Sequence, residues 1–153
     1  MKLRKEHPIL SGKARLRVLD YLACGYPDVS YHSERAWTPY FDAESRYFGV
    51  MYCGNYACID RVQSDDYFYI AYNMHWEEHA LALPNIPKGK KWAFVFSTTE
   101  DNQTEELLKQ ASMVLDEQKK ISISPRSITV LKSVNVEESK KRRSKSKMTH
   151  SLT

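Results

Sequence analysis

Six short apolar runs, which follow one another at intervals of about ten residues, constrain the fold of this chain more than any other feature. The runs are rich in aromatic and β-branched residues, and Gly, Pro, Asn, Asp and Ser separate them. They cover residues 47–52, 67–72, 80–83, 92–96, 120–124 and 127–131. Short strands at this spacing are typical of two packed antiparallel sheets. The sequence therefore predicts an all-β fold, an antiparallel β-sandwich over residues 46–132.

The segments on either side of the sandwich predict appendages of different kinds. Residues 1–10 predict a short helix that Pro8 stops, with His7 held extended, and this helix has the character of the end of a longer one. Residues 11–45 predict an irregular but ordered connector, because their aromatic side chains need a place to be buried. Residues 133–153 are rich in Lys and Arg and carry no apolar pattern, so a disordered basic tail is expected.

One stretch within the sandwich region has a helical pattern. Asn102 and Glu105 resemble a capping box. The apolar residues that follow recur at helical spacing, namely Leu107, Leu108, Ala111, Val114 and Leu115. A helix is one interpretation of this pattern, and a loop that ends in a short strand at residues 113–115 is the other.

Length and composition exclude several classes of protein. The chain has 153 residues, whereas a complete (β/α)₈ barrel needs about 250. No apolar run approaches the roughly 20 residues that cross a bilayer, and the first ten residues lack the apolar core of a secretory signal. The three cysteines are an odd number without such a signal. This count favours reduced thiols in a cytoplasmic protein.

The charge of the chain is concentrated at one end. Residues 1–132 contain 17 Lys and Arg and 17 Asp and Glu, whereas residues 133–153 contain six basic and two acidic residues. A basic tail can contact nucleic acid or anionic lipid. Because the body of the protein has no basic excess, the sequence favours a solubilising tail, and we expect neither nucleic acid nor a membrane as the partner.

Motifs for familiar catalytic chemistry do not occur. The five glycines form no phosphate-binding loop, and there is no GxSxG nucleophile motif. The adjacent carboxyl pairs Asp65-Asp66 and Glu77-Glu78 would point to opposite faces of a strand, so neither pair converges on one substrate atom. The sequence therefore predicts no catalytic residues and no cofactor.

The pentapeptide His75-Trp76-Glu77-Glu78-His79 fits the zinc motif HxxEH. That motif needs both histidines on one face of a helix. Here it directly follows one β-type run and precedes another, which leaves little room for a helix. We therefore predict no metal site of this type.

The aromatic residues permit two interpretations. All 18 of them lie between Tyr21 and Phe96. Trp37, Trp76, Trp92 and the tyrosines can form a platform on which sugar rings stack, or they can form the sandwich core, where large aromatic side chains are common. The candidate carbohydrate-binding residues are Trp37, His75 and Trp76.

The order of several motifs resembles the C-terminal region of the α-glucan debranching enzymes of glycoside hydrolase family 13, the isoamylase, pullulanase and glycogen-debranching type. The family pattern has an apolar strand, Asn-x-His-Trp-Glu, a short strand that ends in Pro, and a Trp that opens the next strand. Its counterparts here are Asn73, His75, Trp76, Glu77, Leu83, Pro84 and Trp92. The turn Pro125-Arg126-Ser127, the pairs Ser45-Arg46 and Tyr31-His32, and Trp37 also resemble the family. Residues 3–8, Leu-Arg-Lys-Glu-His-Pro, resemble the end of the last helix of the family's catalytic barrel.

The resemblance implies a role in hydrolysis of α-1,6-glucosidic bonds in glycogen or branched dextrin. The family's catalytic carboxylates lie on the barrel, and none has a counterpart here. The expectation is a C-terminal sandwich that is inactive alone and supports a catalytic barrel on the same or another chain. A stand-alone α-glucan-binding module is the alternative. If the barrel is absent, the face that it covers should be an exposed apolar patch.

Overall fold

The computed structural model describes residues 2–12, 15–39, 42, 44–59, 62–99 and 113–137. Within them the chain forms one short α-helix, two 3₁₀ turns and eight strands. The helix α1 spans Lys2–Glu6, and the 3₁₀ turns span Pro8–Leu10 and Gly54–Tyr56. The strands are β1 (Val29–His32), β2 (Tyr47–Tyr52), β3 (Phe68–Asn73), β4 (His79–Ala82), β5 (Lys90–Ser97), β6 (Met113–Val114), β7 (Lys120–Ile123) and β8 (Ser127–Asn135).

The strands form two sheets in which every pairing is antiparallel. The large sheet has the order β1-β2-β3-β8-β5-β6, and the small sheet pairs β4 with β7. The main hydrophobic core joins the two sheets: Leu81 and Ile123 of the small sheet pack with Met51, Tyr69 and Leu131 of the large sheet. The fold is therefore all-β and has the sandwich architecture that the sequence predicts.

Polar contacts also join the sheets at the edge of this core. The buried Asn73 amide donates hydrogen bonds to the carbonyl oxygens of Glu77, Ile123 and Ser124, at 2.8, 3.0 and 3.2 Å. Its side-chain oxygen accepts the backbone N–H of His75 at 3.0 Å. A buried amide is stable only when its donors and acceptor are paired in this way. Asn73 thus fixes the turn between β3 and β4 against the end of β7.

The six predicted strands are confirmed, and β2 has the predicted bounds. The structure adds β1, which lies in the segment predicted to be an irregular connector. Local sequence gave no signal for β1 because two of its four residues, Ser30 and His32, are polar. Both are buried, and they satisfy each other through a 2.8 Å hydrogen bond between Ser30 Oγ and His32 Nε2. Pairing with β2 supplies the strand's backbone hydrogen bonds.

The end of β8 also differs from the prediction. The strand continues to Asn135, three residues past the predicted domain end. Ser133 is buried in this extension, and its hydroxyl oxygen accepts the backbone N–H of Tyr67 at 2.9 Å. A polar residue that is paired inside the sheet does not appear as an apolar position in the sequence. Residues 133–135 therefore belong to the sheet and not to the predicted tail.

Two predicted segments fall mainly outside the described residues. The helix expected from Asn102 lies there up to residue 112, and residues 113–114 form the short strand β6 of the alternative interpretation. The predicted tail also lies outside from residue 138 onwards. Among the residues that the structure does describe, no helix has both the length and the apolar character needed to cross a membrane.

The N-terminal segment packs on the outer face of the large sheet. Helix α1 ends at Glu6, and His7 is extended before Pro8, as the sequence predicts. Ile9 packs with Phe68 and Val130, whose side chains lie on the face opposite the main core. The buried Asp65 side chain fixes this arrangement because it accepts hydrogen bonds from the His7 ring at 2.6 Å and from the Ile9 N–H at 2.9 Å.

Candidate functional site

One end of the large sheet collects most of the exposed aromatic and ionisable side chains that the sequence singles out. Because β1, β2 and β3 are adjacent and antiparallel, the residues after β1, before β2 and after β3 meet at the same end. We call this surface the aromatic end. It comprises residues 33–37, 46–47 and 74–79.

Trp76 is the most exposed tryptophan of the aromatic end, with 59% of its surface accessible. It lies in the turn between β3 and β4. Its indole stacks on the His75 ring at a centroid distance of 4.1 Å, and the Arg46 guanidinium lies 5.3 Å from its ring centroid. The stacked ring and the cation therefore hold the exposed indole in a defined orientation.

Trp37 is 42% exposed and is held in an unusual backbone conformation. Its φ of +64° is in the left-handed region, which is costly for a bulky residue. His32 supports this conformation in two ways. Its Nδ1 accepts the Trp37 backbone N–H at 2.8 Å, and its ring packs edge-on against the indole at 4.8 Å. His32 therefore holds Trp37 in its half-exposed position in the loop after β1.

His32 itself is a buried, neutral histidine. Burial lowers its pKa from 6.5 to about 4 because the charged imidazolium is poorly solvated in the core. Since Nδ1 accepts the Trp37 N–H, the proton of the neutral ring is on Nε2, which donates to Ser30 Oγ. His32 is therefore a positioning residue, not an exposed acid or base.

His75, Glu77 and His79 bring three potential ligand atoms together beside Trp76. His75 Nδ1 lies 3.0 Å from His79 Nε2 and 3.8 Å from a Glu77 carboxylate oxygen. The His79 ring stacks on Tyr47 at 3.9 Å, and the Tyr47 hydroxyl donates to the Glu34 carboxylate. This hydrogen bond is the main reason that the pKa of Tyr47 rises to about 12. The cluster is therefore continuous with the loop that carries Trp37.

The structure thus brings all three candidate carbohydrate-binding residues to one end of the sheet. Trp92, by contrast, is only 1% exposed and donates its indole N–H to the Pro84 carbonyl at 2.9 Å. It therefore belongs to the hydrophobic core and cannot form part of a platform for sugar rings. Sequence reasoning missed Arg46, Tyr47 and His32 as members of the site. Only knowledge of the order of β1, β2 and β3 reveals their proximity.

The adjacent carboxyl pairs do not form a two-carboxylate catalytic centre. Asp65 is buried against His7 and Ile9, whereas Asp66 lies 3.5 Å from the Lys132 ammonium. Glu77 contacts His75, and the neighbouring Glu78 is an exposed residue outside that cluster. Retaining glycosidases need two carboxyl groups about 5–5.5 Å apart across one sugar. Within the described residues we find no pair in such an arrangement.

A second feature is an apolar groove with a volume of about 800 Å³. It lies on the outer face of the large sheet, the face that points away from the main core. The sheet contributes Ile70, Phe96 and Val130, and the N-terminal segment contributes Leu3, Ile9, Leu10 and Leu16. Several residues beside or within its N-terminal wall are exposed although apolar, namely Leu16, Val18, Leu19, Tyr21 and Leu22. This segment therefore exposes more apolar surface than a solvated loop usually does.

Comparison with known proteins gives no family assignment, since no protein-family model matches the chain and no curated protein matches it significantly. The fold and the two surfaces define the class of protein directly. It is an all-β sandwich with an exposed aromatic end and, on the outer face of its large sheet, an apolar groove.

Proposed function

We propose that the chain is the C-terminal sandwich of an α-glucan debranching hydrolase of glycoside hydrolase family 13. In this proposal it does not hydrolyse α-1,6-glucosidic bonds alone, and it supports a catalytic barrel supplied by the same or another chain. The odd number of cysteines, with Cys53 buried as a free thiol, favours a cytoplasmic location.

The apolar groove is the observation that carries this proposal. Residues 3–8 resemble the end of the last barrel helix, and α1 lies in this segment. Because α1 and the turn after it form one wall of the groove, a barrel attached to α1 would lie on the groove side of the large sheet. An apolar surface at that position is what a sandwich that packs on a barrel requires.

The motif residues of the resemblance also have structural roles that suit a sandwich. Asn73 joins the two sheets through its amide, and Pro84 accepts the indole N–H of Trp92 in the core. These contacts account for the spacing of the motif without any catalytic role. Structural roles of this kind support the proposal that the chain is a non-catalytic domain.

Self-association in solution tests the exposed groove. We expect the purified chain to associate with increasing concentration in sedimentation velocity, and Leu16→Asp to weaken this association because the charge lies in the groove wall. Val62→Asp is the matched control, since Val62 is highly exposed but does not line the groove. A monodisperse monomer at high concentration would contradict the proposal.

Activity measurements test the other half of the proposal. The purified chain should release no reducing ends from glycogen or pullulan above a buffer blank. Measurable debranching by the chain alone, retained after removal of trace contaminants by a second purification, would overturn the assignment as a non-catalytic domain.

The alternative function, a stand-alone α-glucan-binding module, is favoured by the exposure of Trp37 and Trp76 at the same end of the sheet. Aromatic faces that are exposed and held rigidly can stack on sugar rings. The test is titration with glycogen and a branched maltodextrin, followed by tryptophan fluorescence. Saturable binding that Trp76→Ala abolishes would support this function, whereas no response to either glucan would exclude it.

A further inference from the structure

We propose that His75, Glu77 and His79 form a binding site for a divalent transition-metal cation of the zinc class. This inference is independent of the function proposed above, because it depends only on the local chemistry of the turn between β3 and β4. Two imidazoles and one carboxylate are a donor set that Zn²⁺ and its neighbours prefer.

The distances between the ligand atoms suit one bound ion. The three donor atoms lie within 4.8 Å of one another, and the two imidazole nitrogens are 3.0 Å apart. Two nitrogens bound to zinc at about 2.0–2.1 Å in a tetrahedron are about 3.3 Å apart. Small rotations of the two rings, which increase the distance between His75 Nδ1 and His79 Nε2 by a few tenths of an ångström, would therefore bring these nitrogens to the separation of two zinc ligands. Glu77 is 3.8 Å from His75 Nδ1 and can approach by a change of rotamer, since its side chain is 68% exposed.

The surrounding residues hold the ligands in place before the ion arrives. Asn73 fixes the turn, because its amide donates to the Glu77 carbonyl and its oxygen accepts the His75 N–H. Trp76 stacks on the His75 ring, and Tyr47 stacks on the His79 ring. Ligands held by such neighbours lose little entropy when they bind a metal.

The protons of the two histidines are consistent with metal binding. Without metal, the Glu77 backbone N–H donates to His75 Nδ1 at 3.2 Å, so this nitrogen carries no proton and also accepts the Nε2–H of His79 at 3.0 Å. When a metal ion binds, the proton of His79 would move from Nε2 to Nδ1 by exchange with water. The lone pairs of His75 Nδ1 and His79 Nε2 could then both coordinate the ion. The long hydrogen bond from the Glu77 N–H is given up.

This site differs from the HxxEH zinc motif that the sequence suggests. In that motif the glutamate adjacent to the second histidine lies on a helix with both histidines. Here the segment is a turn that leads into a strand, and Glu77 instead of Glu78 joins the cluster. The difference provides a matched control, because Glu77 and Glu78 are adjacent, exposed and chemically identical.

A second cluster, His7 with Asp65 and Asp66, is a weaker candidate. The Asp65 carboxyl already accepts two backbone N–H groups and the His7 ring. The Lys132 ammonium lies 3.5 Å from Asp66 and already supplies a positive charge there. A metal ion would have to displace these partners from a buried position, so we assign no site to this cluster.

Calorimetric titration of the full chain with Zn²⁺, in chelator-treated buffer with a reducing agent, tests the proposal. We expect one ion per chain at this site, with the affinity lowered at least about tenfold by Glu77→Gln and by His79→Gln. Glu78→Gln should bind like the wild type. Cys58→Ser should do so as well, which excludes binding at the exposed thiol. Circular dichroism checks that each variant retains the fold. Because the Glu77 side chain is exposed, Glu77→Gln is the variant least expected to disturb folding.

Copper quenching gives a second readout that does not depend on heat. Because Trp76 stacks on a proposed ligand, Cu²⁺ at the site should quench its emission, and Trp76→Phe should remove most of that quenching while calorimetric binding persists. Three results would overturn the proposal: no binding of either ion, binding that both ligand variants leave unchanged, or equal losses in Glu77→Gln and Glu78→Gln.

Discussion

The buried Asp65 side chain ties the N-terminal segment to the sandwich, and its replacement by Asn tests how much that connection contributes. The carboxyl group accepts three hydrogen bonds: from the His7 ring at 2.6 Å, from the Ile9 N–H at 2.9 Å and from the Asp66 N–H at 2.8 Å. An amide of the same shape has one acceptor oxygen. Whichever way it is turned, at least one of the two backbone N–H groups loses its acceptor.

The cost follows from these contacts. An unpaired buried N–H costs about 1–3 kcal/mol, and each remaining bond weakens by about 1 kcal/mol when a charged acceptor becomes neutral. We therefore expect Asp65→Asn to lower the free energy of unfolding by about 3–5 kcal/mol. That is a large part of the 5–15 kcal/mol typical of a domain.

Urea unfolding at pH 7, followed by tryptophan fluorescence, measures this loss. With a slope of about 2 kcal/mol per molar urea, the midpoint should fall by about 2 M. Asp66→Asn is the control, because the partly exposed pair of Asp66 with Lys132 contributes no more than about 1 kcal/mol. A loss below about 1 kcal/mol for Asp65→Asn, or equal losses for the two variants, would refute the reasoning.

Three further predictions concern other buried groups. The pKa of His32 is about 4 in the folded protein and about 6.5 in the unfolded chain. The free energy of unfolding therefore does not depend on this group above pH 6.5, and it falls by roughly 1.4 kcal/mol per pH unit between pH 6.5 and pH 4. His32→Gln should lack this slope in urea unfolding at pH 7, 5.5 and 4.5, and equal slopes would contradict the assignment. The Tyr67 hydroxyl is buried without a nitrogen or oxygen partner among the described residues, and only the weakly hydrogen-bonding Cys53 thiol lies beside it, so Tyr67→Phe should unfold at an equal or higher urea concentration; a clear loss of stability would show that the contact with the thiol is strong. Gly54→Ala would place a methyl group 2.0 Å from the backbone oxygen of Asp65. We expect a loss of about 1–3 kcal/mol in the same assay, and an unchanged midpoint would show that the loop can move aside.

Local sequence predicts the strands of this protein well where the pattern is apolar, and it fails where polar groups are buried. The predicted run 47–52 coincides with β2 because the residues of this strand form a continuous apolar stretch. By contrast, β1 and the end of β8 depend on Ser30, His32 and Ser133, whose hydrogen bonds form only after distant strands meet. No local pattern contains that information.

The exposed tryptophans of the candidate site were predictable from the sequence, but their arrangement and the residues that support them were not. Aromatic composition and the motif around His75 point to Trp37 and Trp76, which are 39 residues apart in the chain. Their placement at one end of the sheet depends on the pairing of β1 with β2 and of β2 with β3. The positive φ of Trp37 depends in turn on the buried ring of His32, which sequence reasoning treats as a connector residue.

The position of β8 has a consequence for synthesis on the ribosome. Among the described residues this strand is the last to be synthesised, yet it lies between β3 and β5 in the large sheet. After β3 ends at Asn73, translation at 5–20 residues per second needs about 3–10 s to reach Ser127, where its partner begins. During that interval the edge of β3 that later pairs with β8 has no partner, and the corresponding edge of β5 also lacks one from the time that Ser97 is made. A premature stop codon before Ser127 would make this state permanent, so we expect such products to be captured by chaperones or to aggregate rather than to fold as a smaller sandwich.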